Sequence, residues 1–263
     1  MVDSVSRFLG FADTYDRARP RPPAELVDLL TRWSGVAEPD VVDLGAGTGL
    51  STVVWSGRAQ YVLAVEPSAD MRAIAKQRLA ELPDKDNFKA IDATAEATGL
   101  PDGCVDLVTA SQALHWFDPD KVLPEVVRLL RPGGVFAAYD VDWPPAIDAR
   151  VDAAYDAVDR HIRELLADRA DETPRWRKSG HLGRIVDSGL FSYAREICLH
   201  AKETGDADRL LELLRSQSHV AALLREGRGE DELGLTALRE FADARIAEPV
   251  TWWWTYRIRL GVK

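Results

Sequence analysis

Short apolar, β-branched runs recur through the first half of the chain at Val41–Leu44, Tyr61–Val65, Phe88–Ile91, Val105–Ala110 and Val135–Val141. Runs of this length, bounded by Gly, Pro and Asp, predict buried strands. Between them the apolar positions change to helical spacing. Leu26, Leu29, Leu30 and Trp33 predict a helix that starts after the prolines at 20, 22 and 23. Further helices are expected at about 50–57, at 69–82 with Ser68 as N-cap, and at 119–130. The last of these is closed by Arg131-Pro132-Gly133-Gly134. Strands alternating with helices imply parallel pairing through right-handed crossovers. Strands this short and apolar suit a sheet covered on both faces.

After Pro144-Pro145 the pattern changes. Ile147 to Asp168 reads as one long amphipathic helix, and Arg184 to Ser188 lies in another that Gly189 ends. Tyr193 to His200 reads as a sixth strand. Asp206 to Arg225 is again helical, and Leu235 to Ile246 follows a charged loop. An aromatic, β-branched strand from Thr251 to Leu260 comes last. The expected organisation is a single domain over 1–263. Residues 1–35 form an N-terminal lid and helix, and 36–145 form the binding core. The C-terminal half, 146–263, carries a helical insertion at about 203–248, and the helical additions roof the C-terminal edge of the sheet.

Bulk properties narrow the partners. The net charge is −10 and no long basic run exists, which disfavours nucleic acid. No apolar run reaches the roughly 18 residues of a membrane span, and the N-terminus lacks a signal-peptide core, so a cytoplasmic protein is expected. Cys104 and Cys198 sit in apolar runs and read as two buried free thiols. Five scattered histidines have no ligand spacing, so no metal site is expected.

The chemistry concentrates at Asp40–Ser51, D-V-V-D-L-G-A-G-T-G-L-S. A strand holding one acid, Asp43, runs into the alternate glycines Gly45, Gly47 and Gly49. Glycine permits positive φ and leaves room for a ligand against the backbone. N–H groups at the start of the following segment then face the turn. Glu66 ends strand two, Asp92 ends strand three, and Ser111-Gln112 follow strand four. Open α/β sheets bind ligands at these strand ends. A carboxylate after strand two can accept both hydroxyls of a ribose. One after strand three can accept from the exocyclic amine of adenine, so the ligand should contain an adenosine. Two cofactors fit: a nicotinamide dinucleotide and S-adenosylmethionine. The dinucleotide fingerprint needs a third small residue where this chain has Leu50.

These motifs carry a resemblance. V-V-D-L-G-A-G-T-G-L (41–50), V-E-P-S-A-D-M (65–71), D-A-T-A-E-A-T-G-L-P (92–101), V-D-L-V-T-A-S-Q-A-L-H-W-F (105–117) and L-L-R-P-G-G-V-F (129–136) resemble the class I S-adenosylmethionine-dependent methyltransferases. Within that class they are similar to the small-molecule group with the type 11 methyltransferase domain. Residues 15–22 and 111–117 are similar to trans-aconitate methyltransferase-like proteins. The resemblance implies a doubly wound, Rossmann-like α/β sheet of about seven strands, all parallel except the last, with helical lid additions. It implies that Gly45, Ala46 and Gly47 pass along the methionine and ribose of S-adenosylmethionine, while Asp43 orients the turn or accepts from the methionine amino group. Glu66 would hold the ribose diol, Met71 would lie on the adenine, Asp92 with Ala93 would read its amine edge, and Ser111 would offer its carbonyl to the amino group. No D/N-P-P-Y motif of nucleic-acid amino-methylases follows strand four, and no metal-binding acid of catechol-type enzymes stands there; the acceptor is expected to be a small molecule.

Other roles stay open at this level. His115 fits a general base and equally a histidine packed under a lid. Trp116 and Trp143 fit an acceptor pocket or loop packing, and Met71 fits core filler as well as an adenine platform. Tyr15 is placed at the site, whereas Arg17 and Arg19 read as a solvated face. Trp252, Trp253 and Trp254 read as the core of a strand buried on both sides, and Arg257 and Arg259 as exposed at its end. The functional alternatives are a nicotinamide-dependent oxidoreductase, against which Leu50 speaks, and a non-catalytic cofactor-binding module without an acceptor pocket.

Overall fold

The computed structural model describes residues 18–166 and 176–263. Its seven strands are β1 (Asp40–Leu44), β2 (Tyr61–Val65), β3 (Phe88–Ile91), β4 (Val105–Ser111), β5 (Leu130–Val141), β6 (Tyr193–Gly205) and β7 (Val250–Val262). They form one sheet in the order β3-β2-β1-β4-β5-β7-β6. Pairing is parallel from β3 through β5, and β7 runs antiparallel to β5, as the resemblance implies. The chain enters the sheet at the inner strand β1, winds out to β3 at one edge, then returns to β4 on the other side of β1. That reversal leaves a crevice between β1 and β4, where doubly wound sheets bind ligands.

The helices are α1 (Ala24–Ser34), α2 (Ala69–Ala80), α3 (Pro119–Leu129), α4 (Ala149–Leu165), α5 (His181–Asp187), α6 (Ala207–Arg215), α7 (Ser218–Arg225) and α8 (Leu235–Asp243). Local chemistry sets their ends. Ser68 Oγ accepts from the Met71 N–H and starts α2. Asp118 and Asp148 cap α3 and α4 in the same way. Gly35, at φ +70°, closes α1.

The described residues divide into two compact units. One holds 21–141, 176–199 and 256–263, and the other holds 18–20, 142–166 and 200–255. In the first, alternate residues of the central strands (Val42, Leu44, Val108, Ala110, Phe136 and Ala138) bury against Val122, Leu123, Val126 and Leu129 of α3 and Ile185 of α5. In the second, α4 buries Val151, Tyr155 and Ile162 along one stripe. No helix among the described residues is long and apolar enough to cross a membrane.

Several expectations are corrected. Residues 50–57 do not form a helix but a series of turns with one 3-10 turn at Val53–Trp55. The hydroxyls of Ser51 and Thr52 are drawn to Asp43, the Val53-Val54 pair is a poor helix former, and Gly57 turns left-handed. The helix over 206–225 is two helices, because Gln217 is extended and Ser216 Oγ donates to Leu213 O. The long helix ends at Leu165, and its expected end at Asp168 lies outside the described residues. β5 begins at Leu130, five residues early. Arg131-Pro132-Gly133-Gly134 form an irregularity within the strand rather than a stop before it. Cys104 is half-buried and Cys198 is exposed on the edge strand β6, so they are not two buried thiols. Trp252 and Trp254 are buried while Trp253 is exposed, the period-two alternation of a strand with one open face. Arg259 is buried, not exposed at the strand end.

One polar knot outside the strand ends is stabilising. Glu125 on α3 accepts from the Thr98 hydroxyl and N–H and from Arg128 Nε and NH2. The Arg128 pairing holds its carboxyl down to about 2. A lowered folded-state value contributes stability that is complete above the unfolded value near 4.5 and is lost as pH falls through the folded one. Glu125→Gln is therefore expected to cost about 1–3 kcal/mol at pH 7. Urea unfolding across a pH series should show that deficit shrinking between about pH 4.5 and 2. A deficit independent of pH would refute the account.

Candidate functional site

The turn after β1 is fixed from beneath by Asp43. Its carboxylate is buried and accepts from Ser51 Oγ (2.8 Å) and Thr52 Oγ1 (2.7 Å) on one oxygen, and from Thr109 Oγ1 (2.8 Å) on the other. Burial pushes the carboxyl above its usual range, and the three hydroxyls pull it back. Asp43 thus uses three of its roughly four acceptor sites within the chain, on β4 and on the segment after the glycines. Gly45 N–H and Ala46 N–H both donate to Val65 O, which ties the turn to the end of β2. Gly45, Gly47 and Gly49 all have positive φ. A Cβ on Gly45 would stand 2.8 Å from Ala113 Cβ and 2.9 Å from Phe117 Cζ, whereas one on Gly47 would meet nothing within 4 Å. Gly45 is therefore required by packing, and Gly47 leaves open space above the turn.

Glu66, at the end of β2, faces that space. One carboxylate oxygen accepts from Gly47 N–H (2.9 Å) and the other from Ser68 N–H (2.8 Å). Each oxygen keeps a further lone pair, so the group can still accept two neighbouring hydroxyls. Burial raises its carboxyl above the usual value against the pull of those two N–H groups. Met71, on the first turn of α2, is buried. Asp92 is exposed, and one of its oxygens pairs with Arg72 NH2 at 2.7 Å. Arg72 is itself held by Glu66 O and Pro67 O. Asp92 is thereby aimed while its second oxygen stays available at the surface. Ala93 beside it is half-buried.

Ser111 ends β4 opposite Tyr139 of β5. Burial and the Asp43 charge push the Tyr139 hydroxyl well above its usual value, so it is a neutral group near Ser111 and Ser51. Gln112 follows at φ +51°, a left-handed position uncommon for a side chain with Cβ. His115 and Trp116 lie in the next turn, with ring centroids 5.0 Å apart.

A set of charges that the sequence did not reveal lies close by. Asp140, buried near the end of β5, receives Lys178 Nζ at 2.8 Å on one oxygen and Arg259 NH1 at 2.9 Å on the other. His115 Nδ1 stands 4.0 Å from the Lys178-bound oxygen. Arg259 also donates to Glu196 at 2.8 Å, and Lys178 to Gln112 Oε1 at 2.7 Å. Burial works against the Asp140 charge, but Lys178, His115 and Arg259 outweigh it and hold the carboxyl below its usual value. The signal for Asp140 was present in the sequence: an acid inside the apolar run V-F-A-A-Y-D-V, as Asp43 is in its own strand. Lys178 carried no such signal.

The unit containing 21–141 holds Asp43, Gly45, Ala46, Gly47, Glu66, Asp92, Ala93 and Ser111 at or just after the ends of its parallel strands, with Met71 on the first turn of α2 and His115 and Trp116 in the turn that follows β4. Tyr15 lies outside the described residues. Trp143 belongs to the other unit, where it stacks edge-on with Trp254 and lies under the Arg19 guanidinium. Arg19 is there bonded to Ser216 and is no solvated charge. Among the described residues no group of His, Cys, Asp and Glu is arranged to hold a metal ion.

Residues 42–138 match the family model described as methyltransferase domain, of type 11. An uncharacterized methyltransferase of Mycobacterium tuberculosis is 41% identical over 120 residues, which are 46% of each chain. A probable S-adenosylmethionine-dependent methyltransferase of Saccharomyces cerevisiae is 27% identical over 184 residues, 65% of this chain and 63% of that one. The matches thus span about half of the M. tuberculosis relative and under two thirds of the yeast one. A solved structure from Anaeromyxobacter dehalogenans, provisionally assigned as a type II methyltransferase, superposes with a TM-score of 0.69 at 29% identity, covering 93% of this chain and 97% of that one. None of these relatives is named as an oxidoreductase. The segment that matches the methyltransferase domain, residues 42–138, holds β1 to β4, most of β5 and the turn after β1.

Proposed function

We propose that the protein is an S-adenosylmethionine-dependent methyltransferase of the cytoplasm that acts on a small molecule. The observation that carries this reading is the Glu66 carboxylate. It is buried at the end of β2, braced by Gly47 and Ser68 N–H groups, and has one free lone pair on each oxygen for a ribose diol. The donor and acceptor set fits the cofactor elsewhere too. Gly45, Ala46 and Gly47 line its methionine and ribose path. Asp43 serves by holding the turn, Met71 backs the adenine, Asp92 and Ala93 read its amine edge, and the Ser111 carbonyl takes its amino group. Leu50, buried where a dinucleotide turn needs a small residue, speaks against a nicotinamide cofactor.

S-adenosylmethionine supplies a methyl group already activated on a sulfonium. The protein's task is then alignment: to hold the acceptor in line with the breaking bond and to exclude water. His115 stands as the base that takes the acceptor's proton, and Trp116 as an aromatic wall that favours the cationic group. The acceptor's class, among carboxylate, hydroxyl, amine and carbon, is what a metabolite panel with a homocysteine-release assay would resolve. A cofactor-binding module without catalysis predicts no release with any acceptor.

Calorimetry should find binding of S-adenosylmethionine or its demethylated product. Glu66→Ala should weaken it roughly tenfold or more, the loss of hydrogen bonds to a charged acceptor. No binding of either at millimolar concentration would sink the reading. The two glycines should separate. Gly45→Ala meets Ala113 and Phe117 and should lower stability by about 1–3 kcal/mol beyond backbone strain. Gly47→Ala should cost only the left-handed backbone, about 1–2 kcal/mol, yet weaken the cofactor more than Gly45 packing alone would predict. Thermal unfolding alongside calorimetry distinguishes them, and unchanged affinity in Gly47→Ala would count against the assigned path.

A further inference from the structure

We propose that Asp140 is a positioning residue for His115: its carboxylate stands beside the Nδ1 side of the imidazole and favours the ring's charged form, leaving Nε2 to the acceptor, with Lys178 and Arg259 offsetting its charge. The inference rests on the methyl-transfer reading for the identity of the reaction, though not for the geometry.

Nδ1 faces the Asp140 oxygen at 4.0 Å, and Trp116 lies against the ring. The backbone beneath is fixed, since His115 O accepts from Trp176 N–H at 2.9 Å. Asp140 cannot swing away. Arg259 grips one oxygen and is itself locked to Glu196, and Lys178 grips the other and is tied to Gln112. Gln112 directly follows Ser111, so a bonded network runs from the amino-group end of the cofactor path to Asp140, whose carboxylate stands 4.0 Å from the imidazole. Among the described residues, the charged groups bonded in and around this cluster include Asp140, Lys178, Arg259, Glu196, Arg257 and Arg184. His181 adds no charge near neutrality, because burial pushes it down to about 4.

For a hydroxyl or amine acceptor, Nε2 takes the acceptor's proton as the acceptor lone pair bonds the methyl carbon. The S–C electron pair stays on sulfur, and the new imidazolium is stabilised by the Asp140 carboxylate. An anion beside the ring favours its charged form and a cation opposes it. Removing Asp140 should therefore lower the titration midpoint of His115, and removing Lys178 should raise it.

The test is an NMR titration of the imidazoles in the full-length protein, with His115 assigned through His115→Gln. Asp140→Asn is expected to lower the midpoint by about one pH unit, and Lys178→Met to raise it. The acid limb of the kcat–pH profile should move the same way in each variant, with cofactor affinity unchanged. Equal midpoints, or shifts of the same sign in both variants, would overturn the proposal. Should Asp140→Asn not fold with Arg259 left unpaired, Lys178→Met, at a partly exposed side chain, decides by its sign. Opposite shifts in a protein that binds no S-adenosylmethionine would uphold the positioning and overturn the methyl-transfer reading instead.

Discussion

The buried carboxylate of Asp43 is the constraint from which the binding edge follows. A charge withdrawn from water costs several kcal/mol unless hydrogen bonds replace its hydration. Ser51, Thr52 and Thr109 supply those bonds, and in doing so they fold the segment after the glycines back over β1 and stitch it to β4. The turn between is left no freedom to wander. Gly45 and Ala46 meet Val65 O, and Gly47 meets Glu66. The acid that would grip a ribose is placed by the loop it helps to hold. The site is thus shaped before any ligand arrives, and binding need not order it.

A second acid has the same logic on the other face of the sheet. Asp140 also interrupts an apolar strand, but its partners are cations instead of hydroxyls. The difference shows in its titration. Hydroxyls only partly repay the burial of Asp43, whose carboxyl is raised, while Lys178, His115 and Arg259 more than repay that of Asp140. One acid holds a turn still, and the other gathers titratable groups around it. Successive strand residues point to opposite faces, so Tyr139 lies towards Asp43 while its neighbour Asp140 serves the histidine.

The central strands were legible because their apolar runs are bounded by turn residues, and the acids at their ends because a charge is costly within such runs. The failures have physical causes. At 50–57 the apolar spacing was helical, but side-chain hydroxyls and a distant carboxylate decided the backbone. At 216–217 a serine bonding to its own helix split a continuous amphipathic pattern. The burial of Arg259 is not legible in the sequence because it depends on Asp140 and Glu196, which are far apart along the chain. Lys178 reached the cluster from a segment with no periodicity to read.

Arg131 works at the opposite end of the sheet. From the Arg-Pro-Gly-Gly irregularity its guanidinium reaches Asp40 on β1, Asp106 on β4 and the carbonyl of Cys104. The register of β1, β4 and β5 is therefore pinned where those strands begin, at the opposite end from the glycine turn. Loops at the other end can be lengthened, exchanged or reshaped without letting the strands slip against one another.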